Sequence, residues 1–277
     1  MHHLDTNTDE LLAHTDGHVG VITFNRPERR NALTDAMYRG FRTVIPAMAT
    51  NPDIRVVMVT GSGGAFCAGG DVKAMNESNT TGESRDGQPD GNEEKIAYLR
   101  MRQRWVSEAL HTLPKPVVAA IGGPAAGAGF SIALAADMRV AAESAFLVSA
   151  FANVGGSGDF GGSWFLSHLV GAAKAKEIYF MSPRITAGEA HELGLVNRVF
   201  ADETFGADAL AFCHDLAERA PLALRYMKEN INRAATVDLA TALDAEATNM
   251  RRTMSSEDHK EATAAFVEKR IAVFRGN

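Results

Sequence analysis

The chain has 277 residues, 45% hydrophobic and 22% charged, enough to bury a large core. Its net charge of −6 offers no basic face for nucleic acid, and its two cysteines, Cys67 and Cys213, lie outside any CxxC or Cys/His spacing, so neither a disulfide framework nor a metal site is expected. Met1–Glu10 is polar and acidic rather than a signal sequence, and the longest small or apolar stretch, Val117–Ala136, is broken by glycines and Pro124, which points to a cytoplasmic protein that avoids membranes.

In chain order, His18–Phe24 reads as a strand rich in β-branched residues. Leu33–Met48 carries Leu33, Met37, Phe41, Val44 and Ile45 at helical spacing. Thr34 or Asn31 could cap that helix, and Pro46 would end or kink it. Val56–Thr60 is a short buried strand, followed by a loop over Gly61–Gly70. Asn76–Glu94 is almost devoid of apolar residues and reads as a surface loop, a lid or a plain linker. Glu93–His111 looks helical. Val117–Ile121 is a third strand, leading through a Gly/Ala turn into a helix over Gly129–Ala136. Arg139–Ala142 and Phe146–Val148 are further strands, and Gly155–Gly162 is a glycine-rich turn opening another helix. This rhythm suits an α/β fold. Beyond Asp202 the pattern is helical throughout, over Ala207–Ala217, Pro221–Arg233, Leu239–Met254 and Glu257–Lys269. A boundary near residue 200 therefore divides a core, 1–200, from a helical docking or oligomerisation region, 201–277.

Two loops stand out, Gly61–Asp71 and Ile121–Phe130. Each follows a buried strand and is built from residues too small to block approach to the backbone. The second leaves free N–H groups at a helix start, where partial positive charge collects. Together two such loops could hold an oxyanion, although close packing alone also produces such turns. Neither contains GxGxxG or GxxxxGK[ST], so nucleotide-phosphate binding is not indicated.

AFCAGGDVK (Ala65–Lys73) and KPVVAAIGGPAAGAGFSIALAADMRVAAESAFLVSAF (Lys115–Phe151) closely resemble the two oxyanion loops of the crotonase, or enoyl-CoA hydratase/isomerase, superfamily. NRPERRNAL (Asn25–Leu33), ITAGEAHELGLVNRVF (Ile185–Phe200) and SSEDHKEATAAFVEKR (Ser255–Arg270) also fit, so the resemblance spans nearly the whole chain. It implies an α/β crotonase-like spiral of ββα repeats with a helical C-terminal region, assembled as a homotrimer or hexamer. It implies an acyl-CoA substrate, with coenzyme A present only as part of that thioester and no dissociable cofactor. The oxyanion donors would be the backbone N–H groups of Gly70 and Ala128. Arg26, Arg30, Ala68, Asp71 and Lys73 would lie along the coenzyme A site, with Asp71 bracing its loop. Phe266 and Lys269 of a neighbouring subunit would close that site.

Hydration of an enoyl thioester needs an activated water and a proton donor, a task suited to two carboxylates. The superfamily's hydratases carry two glutamates, and the matching residues here are Ser131 and Phe151. Both would line the acyl pocket without acid–base function. One carboxylate remains, Asp159 in VGGSGDFGGSW, which resembles the G-x-x-P-D-x-G-G-x-W turn of the 1,2-epoxyphenylacetyl-CoA isomerase branch, except that Gly158 replaces the proline. A helix cap is the competing role for Asp159. The resemblance implies an enoyl-CoA isomerase that uses Asp159 as acid and base. An enoyl-CoA hydratase, a thioester hydrolase and a non-catalytic acyl-CoA binder remain as alternatives.

Overall fold

The computed structural model describes residues 2–81, 89 and 91–277. Among these, the strands run β1 (His2–Leu4), β2 (Leu11–Asp16), β3 (Val19–Phe24), β4 (Val56–Gly61), β5 (Val117–Ile121), β6 (Ala125–Ala126), β7 (Met138–Ala142), β8 (Phe146–Val148), β9 (Ile185–Thr186) and β10 (Arg198–Phe200). The larger sheet has the order β1-β2-β3-β4-β5-β7-β10. Its first three strands form an antiparallel meander, and from β3 onward the pairings are parallel. The smaller sheet has the order β6-β8-β9.

The helices are α1 (Asp35–Thr50), α2 (Val72–Thr81), α3 (Asn92–Gln103), α4 (Ala109–Thr112), α5 (Ala128–Ala135), α6 (Gly162–Met181), α7 (Ala187–Glu192), α8 (Phe205–Ala217), α9 (Pro221–Ala234), α10 (Leu239–Met254) and α11 (Glu257–Glu268). A π turn over Arg104–Glu108 joins α3 to α4. The chain repeats one pattern: a strand in the large sheet, a short strand or bridge in a second layer, then a helix. β5–β6–α5 and β7–β8–α6 show it fully, and β4 leads through the isolated Cys67–Ala125 bridge to α2. These are the expected ββα repeats of a crotonase-like spiral.

Strands buried on both faces explain the near-continuous valine and isoleucine runs. One face packs Ile22, Phe24, Val57, Val59 and Ile121 against Met37, Phe41 and Phe130. The opposite face packs Val19, Val21, Met58 and Val140 under Ala209, Cys213 and Ala217 of α8. Thus α8 belongs with the sheet, and α10 and α11 continue away from it through their packing on α9 and on each other.

Two sequence expectations are corrected. Pro46 does not end α1, because Val44, Ile45 and Met48 on either side of it are all buried and hold the last turn in place. Residues 76–81 are helical rather than loop. Asp71 nucleates α2 by accepting from Ala74 N–H at 3.2 Å, and Thr80 and Thr81 hydroxyls donate to carbonyls four residues earlier. The rest of the expected loop falls partly outside the described residues, and α3 begins at Asn92. Thr34 caps α1 as expected, accepting from Met37 N–H at 3.2 Å.

Candidate active site

The two small-residue loops are zipped together through their main chains. Phe66 and Cys67 N–H both donate to Pro124 O, at 3.1 and 3.2 Å, and Ala126 N–H donates to Cys67 O at 2.9 Å. Gly127 then takes φ 54°, ψ −123°, a conformation open to glycine, and turns the chain into α5. That places Ala128 at the first helical position, whose N–H has no acceptor within the helix. On the first loop, Ala68 N–H donates to Arg30 O at 3.0 Å and Gly69 O accepts from Leu33 N–H at 2.8 Å. Gly70 follows directly on these anchors. Neither Gly70 N–H nor Ala128 N–H is a donor in the described loop and turn hydrogen bonds. A Cβ built on Gly69 would fall 2.9 Å from Ala128 N, so the two donors sit on touching segments. Paired free N–H groups of this kind suit an oxygen that gains negative charge.

The first loop is held by side chains. Asn31 is fully buried; its amide donates to Ser62 O and Ala65 O at 2.9 and 2.8 Å and its carbonyl accepts from Arg26 N–H at 2.8 Å. Arg26 pairs with Asp71 at 3.2 Å and stands 3.7 Å from both Glu10 and Glu28. Burial opposes the charge on Asp71, but the Ala74 N–H and Arg26 outweigh it and hold the carboxyl below its usual range. Arg26 and Asp71 therefore brace the loop, while Arg30 and Lys73 extend into solvent and Ala68 is half-buried. Phe266 and Lys269 are exposed on and just after α11, which packs on α10.

Asp159 precedes α6 and has a different environment. Its Oδ1 is buried with no hydrogen-bond partner, and burial lifts the carboxyl from 3.8 to about 6. It does not cap α6: only its main-chain oxygen receives Gly162 N–H, at 3.1 Å, and no side chain caps that helix. Ser131 is fully buried on α5, with its hydroxyl 3.4 Å from Gly127 O. Phe151 stacks on Tyr179, with centroids 5.8 Å apart. Tyr38 stacks on Phe160 at 5.7 Å and carries the Arg102 guanidinium 4.8 Å above its ring. Trp105 packs against the core, with Arg42 5.0 Å from its centroid. A cavity of about 390 Å³ lined by His111, Trp164, His168 and Ile231 includes none of Gly70, Ala128 or Asp159.

A profile of the enoyl-CoA hydratase/isomerase family matches residues 14–277. The chain belongs to this family. It is 35% identical over 266 residues to the 1,2-epoxyphenylacetyl-CoA isomerase of Escherichia coli K12, covering 96% of this chain and 98% of that protein. It is 34% identical over 263 residues to the short-chain-enoyl-CoA hydratase of Clostridium acetobutylicum, covering 95% and 96%. The crystal structure of an enoyl-CoA hydratase from Polaromonas sp. JS666 superposes with a TM-score of 0.87 at 36% identity, covering 95% of this chain and 99% of that one. The fold and the enzyme family are thus those that the motifs imply, and relatives under both hydratase and isomerase names share them.

In this enoyl-CoA hydratase/isomerase family member, sequence reasoning missed Asn31 as the clamp of the first loop, and Tyr38 and Tyr179 beside Asp159. Asn31 was visible only as a possible cap. The two tyrosines lie at helix positions that read as ordinary core. Asn31→Ala orphans three main-chain groups at a backbone φ of 58°, so the variant is expected to lose on the order of 3 kcal/mol in urea unfolding.

Proposed function

We propose that the chain is an enoyl-CoA isomerase that shifts a double bond through an enolate. The reading rests above all on Asp159, a buried carboxylate with an unpartnered oxygen where no helix cap accounts for it. Gly70 and Ala128 N–H groups bind the thioester oxygen. Asp159 takes a proton from C2 of a 3-enoyl-CoA, and the electron pair moves onto that oxygen as the double bond migrates. The protonated carboxyl then returns the proton at C4, giving the 2-enoyl-CoA. No water enters and one carboxylate suffices, which suits Ser131 and Phe151, neither of which can serve as acid or base. The reaction needs no dissociable cofactor, since coenzyme A arrives as part of the substrate.

Arg30, Ala68 and Lys73 form the coenzyme A side of the site. The 201–277 region mediates assembly into a homotrimer or hexamer in the cytoplasm, bringing Phe266 and Lys269 to a neighbour's site. Exposed Ile231, Leu239, Phe266, Val267 and Ile271 support an interface there. Among the described residues no helix is long and apolar enough to cross a membrane, and no three His, Cys, Asp or Glu side chains are grouped to hold a metal.

The test is ultraviolet absorbance of the conjugated thioester. Absorbance gained from a 3-enoyl-CoA is the expected result. Loss of absorbance from a 2-enoyl-CoA with no gain from the 3-enoyl-CoA would establish the hydratase instead, and thiol release the hydrolase.

A further inference from the structure

Asp159 Oδ1 is buried without a hydrogen-bond partner, so no such bond aims the carboxylate. The main chain around it is slack as well. Residues 152–157 are exposed, and Gly155, Gly156, Gly158, Gly161 and Gly162 surround the base. A base works well only when held within about half an ångström of its productive position. Two contacts flank Asp159 instead. On one side Gly158 lies against the Tyr179 ring, where a Cβ would meet Tyr179 Cε1 at 2.7 Å. On the other, Phe160 is the first buried residue, 1% exposed, and it holds φ at 50°. A phenylalanine keeps that left-handed conformation only where packing imposes it. The packing is Tyr38 of α1, whose ring centroid lies 5.7 Å from that of Phe160, with the planes 11° apart. Arg102 of α3 continues the column. Its guanidinium lies 4.8 Å from the Tyr38 centroid and 4.0 Å from that of Tyr98, and it pairs with Asp35 at the start of α1. Arg102 Nε has no partner, so as a plain stabilising device this buried cation is a poor one. Burial is what raises the Asp159 carboxyl, so Arg102 reaches it through the rings rather than through its charge.

We propose that Tyr38 and Arg102 are positioning residues: the column they build fixes Phe160, and Phe160 aims the Asp159 carboxylate. The role rests on Asp159 being the base described under Proposed function. Tyr38 serves by its ring and not by its hydroxyl. Burial pushes that hydroxyl well above its ordinary range, with Arg102 opposing and Asp159 and Cys67 adding to the rise, so it stays protonated. On the other flank, burial pushes the Tyr179 hydroxyl up to about 12, with Ser131 opposing and Asp159 adding to the rise. Both tyrosines that feel Asp159 therefore keep their protons, and a titration near pH 6 reports the carboxyl itself.

Carboxyl NMR of protein carrying isotope-labelled aspartate follows that titration without substrate, with Asp159 assigned by the signal lost in Asp159→Asn. The wild-type carboxyl is expected to titrate near 6. In Tyr38→Leu, which removes the stack, it is expected to fall toward its ordinary 3.8 as the loosened group meets water. In the same variant, kcat for the double-bond shift is expected to fall about 10–10²-fold with KM little changed. Tyr38→Phe, which keeps the ring and its stack, is expected to restore both the titration and kcat. Arg102→Lys, which keeps the charge but not the planar face, is expected to move both in the direction of Tyr38→Leu, by less. Folded Tyr38→Leu protein with the wild-type titration overturns the proposal. So does a Tyr38→Phe variant that behaves as Tyr38→Leu does, since the hydroxyl would then be the active part. If Tyr38→Leu does not fold, Arg102→Lys with wild-type titration and kcat overturns it. A titration that shifts as expected in a protein that moves no double bond would instead strike the reaction and spare the column.

Discussion

Asp159→Asn should lower the rate of double-bond shift by about 10²–10⁴-fold, the usual contribution of a positioned acid–base group, and yet make the protein more stable at neutral pH. Both effects come from the same burial. The carboxyl is raised from 3.8 to about 6 because the pocket penalises its charge and no hydrogen bond compensates Oδ1. The folded protein therefore holds this proton more tightly than the unfolded chain does. The stability associated with it is complete below pH 4 and is lost as pH rises through about 6. At pH 7.5 the buried charge costs about 1–3 kcal/mol, discounted for partial solvent access. Asparagine has the same shape and no charge. Urea unfolding should show Asp159→Asn more stable than wild type at pH 7.5, with the difference shrinking toward pH 4.5. Wild-type kcat/KM should rise with pH through about 6 as the base form appears. A variant less stable at both pH values would mean that the carboxylate has a native partner and is not the free base proposed.

Much of this was legible in the chain. The long strands follow from continuous β-branched runs, because VGVITF, VVMVT and VVAAI are buried on both faces, and α10 follows from periodicity, running over the range its apolar spacing marks. Of the second layer only β8 was legible, since β6 and β9 have two residues each and no period can be read from two positions. Nor was β2, where the buried Leu11 and Ala13 are followed by His14, Thr15 and Asp16. The loops stood out by their small residues, their role and Asp159 came from motif resemblance, and Ser131 and Phe151 drew notice as missing carboxylates. What no local pattern could supply is the meeting of α5 and α6. Tyr179 stands 20 residues beyond Asp159, and only the fold places its hydroxyl beside Ser131. Gly158, read in sequence as a departure from a motif, acquires a cause once Tyr179 is seen against it.

Gly129→Ala should damage activity and stability together, the opposite of Asp159→Asn. A methyl group at Gly129 would fall 2.2 Å from Cys67 O and 2.8 Å from both Cys67 C and Cβ. Most of that obstruction is main chain, which cannot swing aside as a flexible side chain could. The first loop would have to retreat from α5, breaking the zipper in which Cys67 N–H reaches Pro124 O at 3.2 Å and Cys67 O receives Ala126 N–H at 2.9 Å. Gly70 and Ala128 ride on the two halves of that zipper, so their N–H groups would part as well. Loss of one oxyanion donor costs about 10²–10³ in kcat, and overpacking at a buried contact costs about 1–3 kcal/mol of stability. Gly188→Ala is the matched control: it lies in α7, a Cβ there meets nothing within 4 Å, and the change should leave turnover as it is and stabilise by up to about 1 kcal/mol through helix propensity. Folded Gly129→Ala protein with wild-type kcat would show that the two N–H groups need not be held together by this contact. A fall in kcat with KM nearly unchanged would locate the damage in the charged intermediate, as two donors aimed at an enolate oxygen require.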